Sequence, residues 1–223
     1  RFLSFLPLSH SYEHTAGLHF ALSIGAEIYY AQSIDRLVSN MAETAPTIMT
    51  AVPRLYEAIH GRLINGVQQA GGLKEKMFMK AVELGRIRYE NPTSLSFGQR
   101  ALDGLLDKLV RTKVADRFGG RLKAFVSGGA PLNPEIGTFF LALGVRILQG
   151  YGQTESAPVI SCNPVNGVRI HTVGPALTGV TVKIAEDGEI LVQGELLMDG
   201  YWNNPDATAE VLVDGWLHTG DIG

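Results

Sequence analysis

Apolar positions recur along this chain with two different periods. "RFLSFLP" and "AEIYYA" are short apolar runs closed by turn-forming residues, and they read as strands. Between them "EHTAGLHFALSIG" carries helical spacing, with Gly25 placed to stop it. "SIDRLVSNMAETA" predicts a second helix, with Ser33 as N-cap and Ile34, Leu37, Val38 and Met41 on its apolar face. "PTIMTAVP" reads as a strand between prolines, and "RLYEAIHGRLINGVQQA" as the helix that follows. This alternation predicts an α/β fold, a parallel sheet covered by helices.

From about residue 73 to 118 the pattern turns almost wholly helical, with basic and apolar positions interleaved and a break at "ENPTS". The periodicity predicts an amphipathic helical insertion packed on the sheet; a membrane-surface or partner-binding role is the alternative. Alternation then resumes. "LKAFVSGG" is a strand entering a glycine turn, and "NPEIGTFFLALG" a helix with Asn133 as N-cap and Pro134 at its first position. "VRILQGYGQTE" is a further strand and turn. After about Val173, alternating apolar residues and turns such as "EDGE" predict antiparallel hairpins. The chain thus divides into an α/β part, 1–172, and a β-rich part, 173–223.

Composition narrows the function classes. Hydrophobic residues make up 45% of the 223 and charged residues 18%, a globular balance. A net charge of −3 gives no electrostatic sign of a nucleic-acid partner. Cys162 is the only cysteine, which rules out an internal disulfide and favours a reducing, cytoplasmic setting. No apolar run is long enough to span a bilayer, and "RFLSFLPLSH" lacks the core and cleavage site of a signal peptide. The start at Arg1 and the stop at Gly223 read as cuts from a longer chain.

Four stretches carry candidate chemistry. In "PLSHSYEHTAG", His10, Glu13 and His14 spell H-x-x-E-H, a zinc-peptidase pattern. A zinc site needs a third ligand, for which Glu83 and Glu90 are available in downstream helix. The competing readings are an active-site His10 at a strand-to-helix turn with ordinary Glu13 and His14, or a purely structural trio. "SGGAPLNP" places Gly128 and Gly129 on a strand-end turn, where a ligand can approach the backbone, or where glycine simply makes the turn. "QGYGQTES" fails as a dinucleotide loop, because Glu155 stands where the third glycine belongs. It still offers a flat ring (Tyr151), a hydroxyl (Thr154) and a carboxylate (Glu155) suited to Mg2+. "WLHTGDIG" sets Asp221 in a turn, as a ribose-binding carboxylate or as ordinary turn chemistry.

In order, the chain reads "FLPLSHSYEH", "TAVPRLYEAIHGRL", "VSGGAPLNPEI", "LQGYGQTES", "VGPALTGVTVKI", "GYWNNPDAT" and "DGWLHTGDIG". This series resembles the adenylate-forming superfamily over essentially its whole length. The "LPLSH" form and the helical insertion after "VPR" look most like long-chain fatty acyl-CoA synthetases. The resemblance implies an enzyme that uses ATP, Mg2+ and CoA to convert a fatty acid to acyl-AMP and then to the thioester. It implies that His10 lies beside the carboxylate and α-phosphate, and that Gly128, Gly129 and Ala130 form the turn against adenine and acyl group. Tyr151 resembles the ring packed on adenine, Thr154 the phosphate-contacting hydroxyl, Glu155 the Mg2+ ligand and Asp221 the ribose-binding aspartate. Gly152 is expected to keep the acyl tunnel wall close. The β-rich part is expected to be a portion of a small antiparallel barrel. The family's phosphate loop and its C-terminal domain, with an essential lysine, are expected outside this chain. The fragment alone is therefore expected to be inactive, and the parent is expected to make peripheral membrane contact at most. "VQGE" at Val192–Glu195 and "VGPALTG" depart from the usual family forms, which puts the ligand edge of the β-rich part in question. Another adenylating ligase, for shorter-chain, aryl or carrier-bound substrates, and a non-catalytic nucleotide-binding module are the rival readings.

Overall fold

A computed structural model describes residues 1–223. The main sheet contains β1 (Phe2–Ser4), β2 (Ile28–Tyr30), β3 (Ile48–Ala51), β4 (Ala124–Ser127), β5 (Ile147–Tyr151) and β6 (Ser161–Cys162). Its spatial order is β2-β1-β3-β4-β5-β6. The first five strands are mutually parallel, and β6 pairs antiparallel with β5. The expected α/β sheet is present, with an antiparallel edge that the pattern did not reveal.

The crossovers are helical. A π-helical segment, Glu13–His19, runs into α1 (Phe20–Ser23), and Gly25 follows at φ +64°. Then come α2 (Leu37–Thr44), α3 (Pro53–Ala70), α4 (Gly72–Glu90) and α5 (Phe97–Leu106). A π-turn over Asp107–Arg111 leads into α6 (Thr112–Arg117), and α7 (Pro134–Ala142) lies between β4 and β5. Met49, Phe125 and Ile147 of the sheet pack with Tyr56, Phe78 and Phe140 of the helices, and with Phe118 just after α6, in one core. Asn133 caps α7 as expected, accepting from the Glu135 N–H. The α2 expectation needs correction: the helix begins at Leu37. The Ser33 hydroxyl instead accepts from the Arg36 N–H, closing a preceding turn that leaves Ile34 70% exposed.

The 73–118 insertion is helical and packs on the sheet's helices. Arg111 pins it from inside. Its buried guanidinium donates to the Asp103 carboxylate and to the carbonyls of Ala81 and Ala142, joining α4, α5 and α7. Gly85 permits the approach of α4 to α7, because a β-carbon there would fall 2.2 Å from the Ala142 carbonyl oxygen.

The second sheet is antiparallel: β7 (Thr181–Ile184), β8 (Glu189–Gln193), β9 (Leu212–Val213) and β10 (Trp216–Ile222), in the order β7-β8-β10-β9. "EDGE" supplies the β7–β8 turn, as its residues predict. A short helix, α8 (Pro205–Val211), was not foreseen, although Asn204 and Pro205 are a capping pair. Ile160 joins Val192 and Leu217 in a small core beneath this sheet.

One buried carboxylate ties the first crossover to the main sheet. Glu13 is fully buried and accepts from the hydroxyls of Ser4 on β1 and Thr50 on β3. Gly17 leaves room for it, since a β-carbon there would lie 2.5 Å from the carboxyl group. Burial pushes the Glu13 carboxyl above its ordinary value, against the lowering effect of its hydroxyl donors. The sign follows from linkage. Below the unfolded-state value of about 4.3 the group is neutral in both states. As pH rises through the raised folded-state value, the unfolded chain has released more protons, and this contribution to stability is lost. Urea unfolding should therefore show Glu13→Gln gaining on wild type between about pH 4 and pH 7. A stability difference that is flat or moves the other way would contradict the raised value.

Candidate active site

The site forms where strands of the main sheet end, the usual ligand edge of an open α/β sheet. After β1 the chain turns, and the His10 N–H donates to the Pro7 carbonyl at 2.9 Å. The Tyr12 N–H then donates to His10 Nδ1 at 3.1 Å. Nδ1 therefore keeps its lone pair, and in the neutral ring the proton sits on Nε2, available to an acceptor. His10 is exposed. Tyr12 is buried and donates its hydroxyl to the Val126 carbonyl of β4 at 2.9 Å. Burial pushes its phenol well above the ordinary range. A β-carbon at Gly128 would sit 3.1 Å from the Tyr12 ring, and Gly129 adopts φ +80°. The glycine turn thus lets Tyr12 lock the first crossover against the end of β4.

The β5 end supplies the second half. Gly152 abuts the Pro158 backbone so closely that a β-carbon would fall 1.9 Å from the Pro158 carbonyl oxygen. Thr154 opens a 3-10 turn over Thr154–Ser156, and its hydroxyl lies 3.2 Å from that of Ser11. Tyr201 donates its hydroxyl to Glu155 Oε1 at 2.9 Å, which pushes the Tyr201 phenol above its ordinary value. The other Glu155 oxygen accepts no hydrogen bond. From the second sheet, Asp221 Oδ2 accepts from the Tyr151 hydroxyl at 2.7 Å and from Gln153 Nε2 at 3.0 Å. Burial, and then the Asp221 carboxylate, push the Tyr151 phenol up to about 12.

Two adjoining cavities result. One of about 210 Å³ is lined by His10, Gly128, Gly129, Tyr151, Gly152 and Thr154, with Pro158 and Val159 on its wall. The other, of about 630 Å³, is lined by Gly129, Ala130, Tyr151, Gly152 and Asp221, with apolar Ile170 and Val173. They meet at Gly129, Gly150, Tyr151 and Gly152. Every expected site residue lines one cavity or the other except Glu155, which directly follows Thr154. Ser11, Tyr12, Gln153 and Tyr201 were not singled out from sequence. Their partners are distant along the chain, and only the "GYWNNPDAT" stretch carried a signal for Tyr201.

The H-x-x-E-H trio separates. Glu13 faces the sheet. His14 donates from Nδ1 to the Leu8 carbonyl at 3.2 Å, and its Nε2 lies 3.1 Å from His19 Nε2. The π-helix explains this pairing, since it stacks residues five apart. Glu83 is ion-paired to Lys80, and nowhere do three or more His, Cys, Asp or Glu side chains converge. Mg2+ fits differently. Glu155, next to Thr154 in sequence, keeps one carboxylate oxygen without a hydrogen bond, and a single such oxygen fits the sparse protein donor set that this ion takes when substrate phosphates and water complete its shell. Of the two departures, "VGPALTG" reaches the candidate site through Val173, which lines the larger cavity, while its Thr178 and Gly179 line a separate groove with Gln193, Gly194 and Glu195 of "VQGE".

Relatives share both sequence and fold. A long-chain-fatty-acid–CoA ligase, FadD15, of Mycobacterium bovis is 34% identical over 230 residues, covering all of this chain and 37% of that protein. Long chain acyl-CoA synthetase 6, peroxisomal, of Arabidopsis thaliana is 34% identical over 241 residues, covering all of this chain and 33% of its own length. The chain thus spans about a third of the curated relatives it matches. Among solved structures, the N-terminal domain of FACL13 from Mycobacterium tuberculosis aligns over the whole chain and 47% of its own, with TM-score 0.67 and 20% identity. Apo MatB from Rhodopseudomonas palustris gives TM-score 0.67 at 22% identity, over the whole chain and 37% of its own. At these identities the structures establish the fold alone. The family model described as AMP-binding enzyme matches residues 1–202, and the chain belongs to that family.

Proposed function

We propose that the protein to which this chain belongs is an AMP-forming long-chain fatty acid–CoA ligase. The observation that carries this reading is the convergence of His10, Thr154, Tyr151 and Asp221 on two cavities that meet at one glycine turn. In the first half-reaction a fatty-acid carboxylate oxygen attacks the α-phosphorus of ATP and pyrophosphate leaves. In the second, the CoA sulfur attacks the acyl carbon and AMP leaves. The carboxylate and the triphosphate repel each other, so the site must supply donors where charge develops. His10 offers its Nε2–H, and Thr154 offers a hydroxyl on the facing wall. The larger cavity suits adenosine, with Tyr151 and the glycine turn against the base and Asp221 accepting from the ribose diol. Mg2+, held by Glu155, would neutralise phosphate charge when bound. Gly152 forms the wall between the compartments by its approach to Pro158. A cytoplasmic enzyme with peripheral membrane contact is the accompanying proposal.

Long acyl chains are favoured over shorter or aryl acids by the similarity at 34% identity to long-chain ligases. The deciding experiment is to assay AMP and acyl-CoA formation by the full-length protein across acyl chain lengths. A maximum at short-chain or aryl acids would overturn the substrate class, and no AMP formation with any acid would overturn the activity. The 223-residue segment alone is expected to show no ATP–pyrophosphate exchange, and exchange above background would contradict that.

Two substitutions probe the assignments in the full-length enzyme. His10→Ala should lower kcat for adenylation about 100-fold, as expected for losing a donor to developing charge. His14→Ala should stay within about twofold of wild type. Equal losses would refute the split between the two histidines. Tyr201→Phe frees the Glu155 carboxylate from its orienting hydroxyl. The Mg2+ concentration for half-maximal rate should rise about tenfold while kcat at saturating Mg2+ is kept. An unchanged Mg2+ dependence would remove Tyr201 from the site.

A further inference from the structure

The helical insertion carries a pocket that none of the active-site residues lines. It has a volume of about 360 Å³ and lies between the C-terminal half of α3, the start of α4 and the π-turn leading into α6. The helix α3 starts at the carboxyl end of β3, beside the active site, and runs for 18 residues, roughly 27 Å. The pocket lines only its last turns and so stands well apart from the nucleotide end.

The lining has two chemistries. Leu63, Val67, Met77, Phe78, Leu109 and Val110 make an apolar interior. Lys74, Lys113 and Arg117 line the same pocket, are exposed, and take part in no ion pair. No acidic residue lines it; Glu75 and Asp116, the sequence neighbours of two of these cations, are outside the lining. Three unpaired cations around an apolar concavity complement one kind of occupant: an alkyl chain that ends in an anion. The volume lies in the small-ligand range of about 300–1,000 Å³. A recessed pocket suits a single inserted chain better than the flat face of a bilayer.

We propose that this pocket is a second, non-catalytic binding site for a single-chain amphiphile with an anionic head. The alkyl chain lies among Val67, Met77, Phe78 and Leu109, and the head meets Lys74, Lys113 and Arg117. The proposal does not rest on the adenylation reading, and its test reads binding rather than activity.

The test is calorimetric titration of the chain with dodecanoate below its micelle concentration, paralleled by NMR of the methionine methyl groups. Saturable binding is expected, with a shift of the Met77 methyl resonance that follows occupancy. The exposed triple variant Lys74→Glu/Lys113→Glu/Arg117→Glu should bind dodecanoate about tenfold more weakly or worse. Dodecanol, which lacks the charge, should show a similar loss, and Ala70→Trp should fill the pocket and abolish the Met77 shift. Dodecyl phosphate distinguishes the head group: binding at or above dodecanoate affinity assigns a phosphate head, and weaker binding a carboxylate. Unfolding midpoints confirm that the variants are folded. The proposal fails if neither dodecanoate nor dodecyl phosphate binds, if binding leaves Met77 unmoved, or if charge reversal does not weaken it. It also fails if only anionic phospholipid vesicles bind, which would make this face a membrane surface.

Discussion

The geometry of the candidate site depends on a carboxylate that lines neither of its cavities. Glu13 leaves water entirely and is held by two hydroxyls from neighbouring strands, Ser4 and Thr50. A buried acid without partners would be costly; with partners from two strands it becomes a directional tie. It fixes the π-helical segment on the sheet, and Tyr12 adds a second tie to the end of β4. With both in place, the turn carrying His10 has little freedom, and the Tyr12 N–H can hold the imidazole in one tautomer. Removing the tie would move the histidine without touching it.

The rest of the site is a seam between two sheets. Tyr151 and Gln153 leave the parallel sheet, and Asp221 arrives from the last strand of the antiparallel one. Tyr201, from the loop before α8, reaches Glu155 in the same way. The two cavities share their wall at this joint.

Much of this was legible in the chain. Apolar periodicity located the parallel strands and most of the helices, because burial on one face leaves a repeat that needs no partner to be seen. It overextended α2 to Ile34, where a serine closes an isolated turn and imitates a cap. The π-helix was invisible, because one extra residue per turn barely disturbs an apolar stripe over seven positions. Motif order pointed to nine site residues. Tyr201 and Gln153 escaped because their roles come from partners 46 and 68 residues away. The same limit hid Glu13. Its place in H-x-x-E-H suggested a metal-site base, and only the fold shows it turned towards Ser4 and Thr50.

The hydrogen bond from Tyr151 to Asp221 gives the seam a property of its own. One carboxylate oxygen, Asp221 Oδ2, satisfies both the tyrosine hydroxyl and an amide of Gln153. Its other oxygen, Oδ1, accepts no hydrogen bond from the protein and stays open to a further donor. The internal bonds thus orient the carboxylate without exhausting its capacity to accept. Rigidity at the joint and a free acceptor come from the two oxygens of one side chain.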